Sequence, residues 1–571
     1  MGKRKRMLAA VFSWVLLTSA LGGCAGKQEM ETPAQAPAQS GEETGGQENG
    51  YGQDLYIIDV MAPNTVIDNS MDTTIGKYIA DEFGIGFNFV AYAGDIQEKQ
   101  ALMLAGGDYN EIQYMQYQNV VQQYVDAGAL LNLDDYKELL PDFYERFADV
   151  IPYWRAASRD GGLYKWETQT PREVDTQLPH LDVMVRTDVL EFYGWPNLVT
   201  ASDWKEFLAK AVKDFPTTYD GQATVGLTVP MAESWGLQGV VPIGYEKGET
   251  YVAVGNDYYT YNTLTEQFED YLLNPEARES FQFFNDLYQA GILDEECFTD
   301  TADITLQKMS CGVPVAVWYM SWNNKAANQA LTEAGHPEMS YIEMPFQLDS
   351  QAGQPYSTPA VYSYPYLSFG LTKNCKDPER ILKFINWCCT EEGQLLLQSG
   401  IEGVHYTVED GKRVATDLRM QCTTDVETGK KEGLMDIPPM ECLPCCMTYA
   451  QDGQPYNLYD EQAYRDEIGL SERQKEAYEA LGWTNSNQWW KEHFKPVDVG
   501  YAQSCALDTT SDLGKVGAKM VETRTKYTAS LIMAENFETV WEELMEEYDK
   551  LDHETVIDAM NENLAGYRGG N

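Results

Sequence analysis

Cys442-Leu443-Pro444-Cys445-Cys446 is the densest group of reactive side chains in the chain. Two cysteines three apart can form a redox pair or half of a zinc site. A zinc site wants a second pair at similar spacing, and none is present. A redox pair opens a helix in a βαβ unit, whereas Pro438-Pro439 and Pro444 place this stretch in a loop. Loop packing or a structural disulfide is the reading that remains. The five histidines, His180, His336, His405, His493 and His553, are scattered without ligand spacing. No HExxH, G-x-S-x-G, P-loop or strand-to-helix G-x-G-x-x-G occurs. With 89 Asp and Glu, carboxylate pairs are too plentiful to single out a glycosidase dyad. Residues 508–512 have the acidic spacing of a calcium loop, but its Gly and terminal Glu are misplaced. The expectation is a protein that binds rather than catalyses, with no catalytic residue, cofactor or metal.

The elements that position any site follow from period and punctuation. Residues 55–60 read as a buried first strand. Asp72-Thr73-Thr74 can cap a helix that runs to Phe83 and stops at Gly84. Residues 86–91 alternate as a second strand, and a helix from Asp95 closes at Gly106-Gly107. A short third strand at 111–115 precedes a helix over 119–127, stopped by Gly128. This alternation argues for a parallel sheet with covering helices, whose ligands bind beyond the carboxyl ends of the strands. Further on, 182–186, 313–319, 341–346 and 364–372 read as strands. Residues 202–215 read as a helix with Ser202 as N-cap. Asn274-Pro275 and Asp377-Pro378 each open a helix with proline at its first position. Residues 461–481, 488–493 and 535–564 are helical by period. The expected fold class is α/β, with two α/β bodies and a helical C-terminus.

The amino end has a different character. Lys3, Arg4, Lys5 and Arg6 form a basic region, 7–17 is apolar apart from Ser13, and 18–23 is small. That is the anatomy of a secretory signal, too short to span a bilayer, which takes roughly 20 apolar residues. Leu21-Gly22-Gly23-Cys24 resembles the bacterial lipoprotein lipobox, which implies acylation of Cys24 as the mature N-terminus. Residues 25–54 are polar and small, cannot offset their ordering entropy, and read as a tether with a reach on the order of 30 Å. The formal net charge of −48 argues against nucleic acid, where Lys and Arg supply affinity. It fits a secreted surface kept soluble by repulsion. The ten cysteines after Cys24 can pair in an exported protein, although several, such as Cys388 and Cys389, sit in apolar helical contexts.

Several stretches together are similar to family 1 extracellular solute-binding proteins of ABC importers, in the large Firmicutes LipO/LplA-like lipoprotein branch. Leu104-Ala105-Gly106-Gly107-Asp108, Gly128-Ala129-Leu130-Leu131 and Arg186-Thr187-Asp188 with Gly194-Trp195-Pro196 carry the resemblance. So do Ser234-Trp235-Gly236, Tyr288-Gln289-Ala290-Gly291-Ile292-Leu293-Asp294 and, most closely, Ile401-Glu402-Gly403-Val404-His405-Tyr406. Residues 415–460 carry no matching stretch. The resemblance implies a two-lobed periplasmic-binding-protein-like fold with hinge strands, a cleft, and delivery of a ligand, mostly oligosaccharide, to an importer. The domains expected are a signal at 1–23 and a lipidated tether at 24–54. Lobe I takes 55–183 with about 366–445, and lobe II takes 184–365 with about 446–571.

Within that frame the aromatic residues are the informative ones, with 13 Trp and 37 Tyr. Sugar rings stack apolar C–H faces on aromatic planes and need amides and carboxylates for their hydroxyls. Trp318, Tyr319 and Trp322 close a strand and open the next helix. Tyr362 and Tyr364 fall near the expected lobe crossing, Trp166 lies in a strand, and Trp235 lies in the Ser-Trp-Gly stretch. Asn64 follows the first strand as a hydroxyl-binding amide, and His405 and Tyr406 follow a turn at Gly403. Core packing is the plain alternative for each aromatic. The expected partners are a carbohydrate, importer permease subunits and the membrane through Cys24, with no nucleic acid, and the expected state is a monomer at the extracellular face. The rivals are the same fold binding a peptide or other solute, and a surface glycan-active enzyme or adhesin.

Overall fold

A computed structural model describes residues 54–569 apart from 63–65, 92–95, 117, 169–182, 234–235, 238–250, 253–258, 319, 360–367, 436–439, 506 and 508–510. The first strands are β1 (Tyr56–Met61), β2 (Ile85–Val90) and β3 (Ile112–Tyr114), followed by β4 (Trp166–Glu167). The helix Thr74–Phe83 between β1 and β2 starts where its chemistry dictates. Thr73 accepts from the Gly76 N–H, and Gly84 ends the helix at φ 63°, a left-handed cap that glycine adopts without strain. Next come β5 (Val183–Arg186), β6 (Val225–Thr228), β7 (Tyr251–Val252), β8 (Tyr259–Asn262) and β9 (Gln267–Asp270). Then follow β10 (Pro314–Trp318), β11 (Tyr341–Met344), β12 (Tyr356–Pro359) and β13 (Ser368–Leu371). A hairpin β14 (Tyr406–Glu409) and β15 (Lys412–Ala415) and a late β16 (Phe494–Val497) complete the described strands.

Two mixed sheets organise these strands. The first has the order β2-β1-β3-β13-β4 and the second β11-β5-β10-β6. β1 runs parallel to β2 and β3, as the β-loop-α alternation requires, whereas β13 runs antiparallel to β3 and β4. In the second sheet β5 is antiparallel to both neighbours and β10 is parallel to β6. The reversals have one cause. β5 and β13 are the strands that receive the chain as it arrives from the other sheet, so each enters at the crossing end and runs against its neighbours. Both sheets lie within one compact unit, Glu48–Asn571.

Each sheet has its own core. One gathers side chains from Ile58 to Trp166 and again from Phe369 to Cys446. The other gathers Val183 to Leu348 and Ala477 to Leu564. A third passage falls between Tyr464, whose hydroxyl accepts from the Ala415 N–H, and Arg473, which donates to Thr187 Oγ1. The fold is α/β and two-lobed.

Some boundaries differ from those the sequence predicts. The helix Ala201–Asp214 is capped by Thr200, not Ser202, because Asp203 completes a reciprocal capping box with Thr200. Ser202 instead bonds to Asp349. The period over 461–481 is broken by a π turn Arg465–Gly469, and Ser471 with Gln474 caps a new helix Glu472–Leu481. The last predicted helix is two, Phe537–Tyr548 and His553–Gly569.

Candidate ligand-binding site

Strand directions fix which end of each sheet meets the crossings. β4 and β13 place Glu167 and Ser368 side by side at that end of the first sheet. In the second sheet Val183 pairs with Trp318 and Met344, so the segments after β10 and β11 reach the same end. Loops at these ends are the place for a ligand in an open α/β sheet.

On the first sheet this end is held by an ion pair. Lys165 Nζ lies 2.7 Å from Glu167 Oε1 and 3.2 Å from Ser368 Oγ, with both charged side chains buried. A buried pair of this kind is costly to break, because one charge is then left uncompensated. Its signal in the sequence was Lys165 and Glu167 two residues apart, on one face of an otherwise apolar strand. Trp166 points the opposite way. It has no exposed surface and donates its indole N–H to the Cys442 carbonyl at 2.8 Å.

That bond ties the strand to the cysteine-rich loop. Gln394 stitches the loop to the neighbouring helix, donating to the carbonyls of Cys388 and Pro444 and accepting from the Cys446 N–H. Cys442, Cys445 and Cys446, with Cys388 and Cys389 at the end of that helix, are free and buried. Burial raises the Cys446 thiol to about 12, so it stays a neutral, hydrophobic group. Among the described residues no three His, Cys, Asp or Glu side chains are grouped to hold a metal ion.

On the second sheet Trp318 is 1% exposed, with its ring 4.7 Å from Phe346 and 5.3 Å from Phe284 in edge-on contacts. Trp322, in the 3-10 turn Ser321–Asn323, is 51% exposed. A hollow of about 510 Å³ opens beside the same end, lined by Thr200, Asp203, Gln347, Tyr356, Trp489 and His493. His493 stacks on Trp489 with centroids 4.1 Å apart. A larger hollow, about 650 Å³, lies elsewhere, along the helix Ile96–Gly106, with Asp59 and Glu111 on its wall.

His405 and Tyr406 belong to the β14–β15 hairpin region, outside both sheets. His405 is buried and uses both ring nitrogens. Nδ1 accepts from the Ile401 N–H, which leaves Nε2 to donate to Glu432 at 3.3 Å. Burial lowers its pKa despite the pull of Glu432. Tyr406 is 7% exposed. Asn64, Trp235, Tyr319, Tyr362 and Tyr364 lie outside the described residues, as do Cys24, the tether and Asp508.

Comparison with known proteins decides the family. A family model described as bacterial extracellular solute-binding protein matches residues 74–404. The chain belongs to that family. Among solved structures, the S. pneumoniae ABC-transporter substrate binding protein FusA, an EF-hand mutant in complex with fructo-nystose, shares 14% identity at a TM-score of 0.62. It covers 90% of this chain and 100% of its own. The alginate-binding protein AlgQ2 without calcium ion shares 15% at 0.60, over 89% and 96%. An HMO-binding ABC-transporter-associated solute-binding protein from Bifidobacterium longum infantis shares 14% at 0.60, over 89% and 98%. No curated protein sequence matches. At these identities the likeness is one of fold: the two-lobed architecture of extracellular solute-binding proteins.

Proposed function

We propose that this solute-binding protein is a lipid-anchored extracellular receptor that captures an oligosaccharide between its lobes and delivers it to an ABC importer. The observation that carries the sugar reading is the fold shared, over nine-tenths of the chain, with proteins described as binding alginate, fructo-nystose and HMO. Trp322 supports it as a half-exposed aromatic side chain at the crossing end of the second sheet. Lobe I takes 55–183 and about 366–464, and lobe II takes 184–365 and about 473–571, the last passage falling later than the sequence suggests. They close on the ligand as a hinge. Trp235, Tyr319, Tyr362, Tyr364 and Asn64 are further contacts in this reading, and Cys24 keeps the cleft near the membrane. The protein acts as a monomer and without turnover.

A glycan array read by tryptophan fluorescence tests the ligand class. A saturable response to at least one oligosaccharide is expected. A response to peptides and to no oligosaccharide would overturn the sugar reading, and glycan turnover lost on mutating a carboxylate pair would replace capture by catalysis. Cys24→Ser is expected to release the protein into the medium, and its retention on cells would sink the anchor.

A further inference from the structure

Three carboxylates converge on one nitrogen at the edge of the candidate site. Lys308 Nζ lies 2.8 Å from Asp294, 3.0 Å from Glu296 and 2.6 Å from Asp300. The lysine comes from the last turn of the helix Ala302–Ser310, and the acids occupy alternate and late positions of the loop 294–300 that precedes it. The carboxylates of Asp294 and Asp300 are buried, so their charge must be balanced locally. Burial pushes the Lys308 ammonium down, but the hydrogen bonds it donates to Asp294, Asp300 and Glu296 more than reverse this and keep it charged. The loop is therefore laid out around a cation, and that cation is a side chain of the same protein.

The loop holds something in turn. The Met231 N–H is shared between the Val229 carbonyl at 2.9 Å and the Cys297 carbonyl at 3.1 Å, and the Ala232 N–H donates to the Asp300 carbonyl at 3.1 Å. Glu233 Oε1 accepts from the Ala302 N–H at 3.2 Å. Thr228 Oγ1, at the end of β6, donates to Asp294 Oδ2 at 3.0 Å. These residues carry β6 onward into Ser234-Trp235-Gly236. We propose that Lys308 is the positioning residue of this rim: its ammonium acts as a built-in counter-ion that fixes the loop 294–300 and, through it, the backbone at 228–233. Its bearing on ligand capture rests on the sugar-binding reading, but the structural claim does not.

Hydrogen exchange on the full-length protein without ligand tests it. In Lys308→Met, which keeps the length and removes the charge, the Met231 and Ala232 amides should exchange roughly tenfold faster through local opening. Lys308→Arg should restore their protection. Lys308→Ala, which removes both the charge and the length, should raise exchange at the same two amides at least as much. Glu296→Gln, at an acid side chain 76% exposed, keeps the fold and should give a smaller rise at the same two amides. Unchanged exchange at 231 and 232 in both charge-removing variants overturns the proposal. So does a rise spread evenly over both cores, or a Lys308→Arg protein that exchanges as fast as Lys308→Met. Since no sugar enters the experiment, a failed glycan screen and a failed exchange test are told apart.

Discussion

Trp318, sealed against Phe284 and Phe346, and Trp322, half exposed, stand four positions apart in the chain. The two substitutions should therefore read out on different instruments. Trp318→Ala empties a core site and is expected to cost about 3–5 kcal/mol, seen as a large drop in melting temperature. Trp322→Ala should leave stability within about 0.5 kcal/mol and weaken oligosaccharide binding in a fluorescence titration. Equal melting losses would place both rings in the core. His405 gives a pH signature with a definite sign. Its folded pKa lies below the ordinary 6.5 because burial disfavours the imidazolium. Its contribution is thus fully present above that value and is lost as pH falls below it through the folded value. His405→Gln should flatten this part of the melting-temperature profile, and an unaltered acid limb would contradict the assignment. At this scale the sequence was a partial guide. Composition marked the aromatics but not their direction, because a strand covered on both faces buries every position, as all five residues of β10 are.

Caps were the most legible elements, since each is written in three or four neighbouring residues. Thr73 with Gly84, and Asp377 before Pro378, stand where their chemistry places them. Asn274 precedes its helix as expected but gives its amide to Thr260 instead of the helix backbone. The Thr200 capping box, missed by two residues, has a measurable worth: Thr200→Ala should destabilise the helix Ala201–Asp214 by about 1 kcal/mol, detectable as a lower denaturant midpoint. A cap at Ser202 would instead make Ser202→Ala the costlier change. What neighbouring residues cannot encode is partnership across the chain. Lys165 and Glu167 were visible as charges in a strand, but their partner Ser368 stands 203 residues from Lys165. The loop 442–446 was legible as a loop, and its role in seating Trp166 only became visible once the strand lay beside it.

At the scale of the molecule, two side-chain bonds among the described residues join the two cores, one from Tyr567, whose hydroxyl donates to the Ala156 carbonyl at 3.0 Å, and one from Lys325. Lys325 Nζ, at the start of the helix Asn324–Glu333, donates to the Thr423 carbonyl at 3.1 Å. Thr423 is in the last turn of the helix Asp417–Thr424, where carbonyls lack partners along the helix and a cation is favoured by about 0.3–1 kcal/mol. Lys325→Met should therefore let the ligand-free lobes part, raising the radius of gyration in X-ray scattering, and an unchanged radius would deny the bond that role. The two-lobed plan itself was legible, through recurring motifs spread over most of the chain. The position of β13 within it has a consequence for biogenesis. β13 sits between β3 and β4, yet Ser368 follows Glu167 by 201 residues. A chain that emerges amino end first on the far side of the membrane leaves that slot empty until those 201 residues, with every strand of the second sheet, have followed. During that interval the earliest-synthesised sheet presents two unpaired edges to chaperones and proteases, so the nascent chain is most vulnerable at its oldest part.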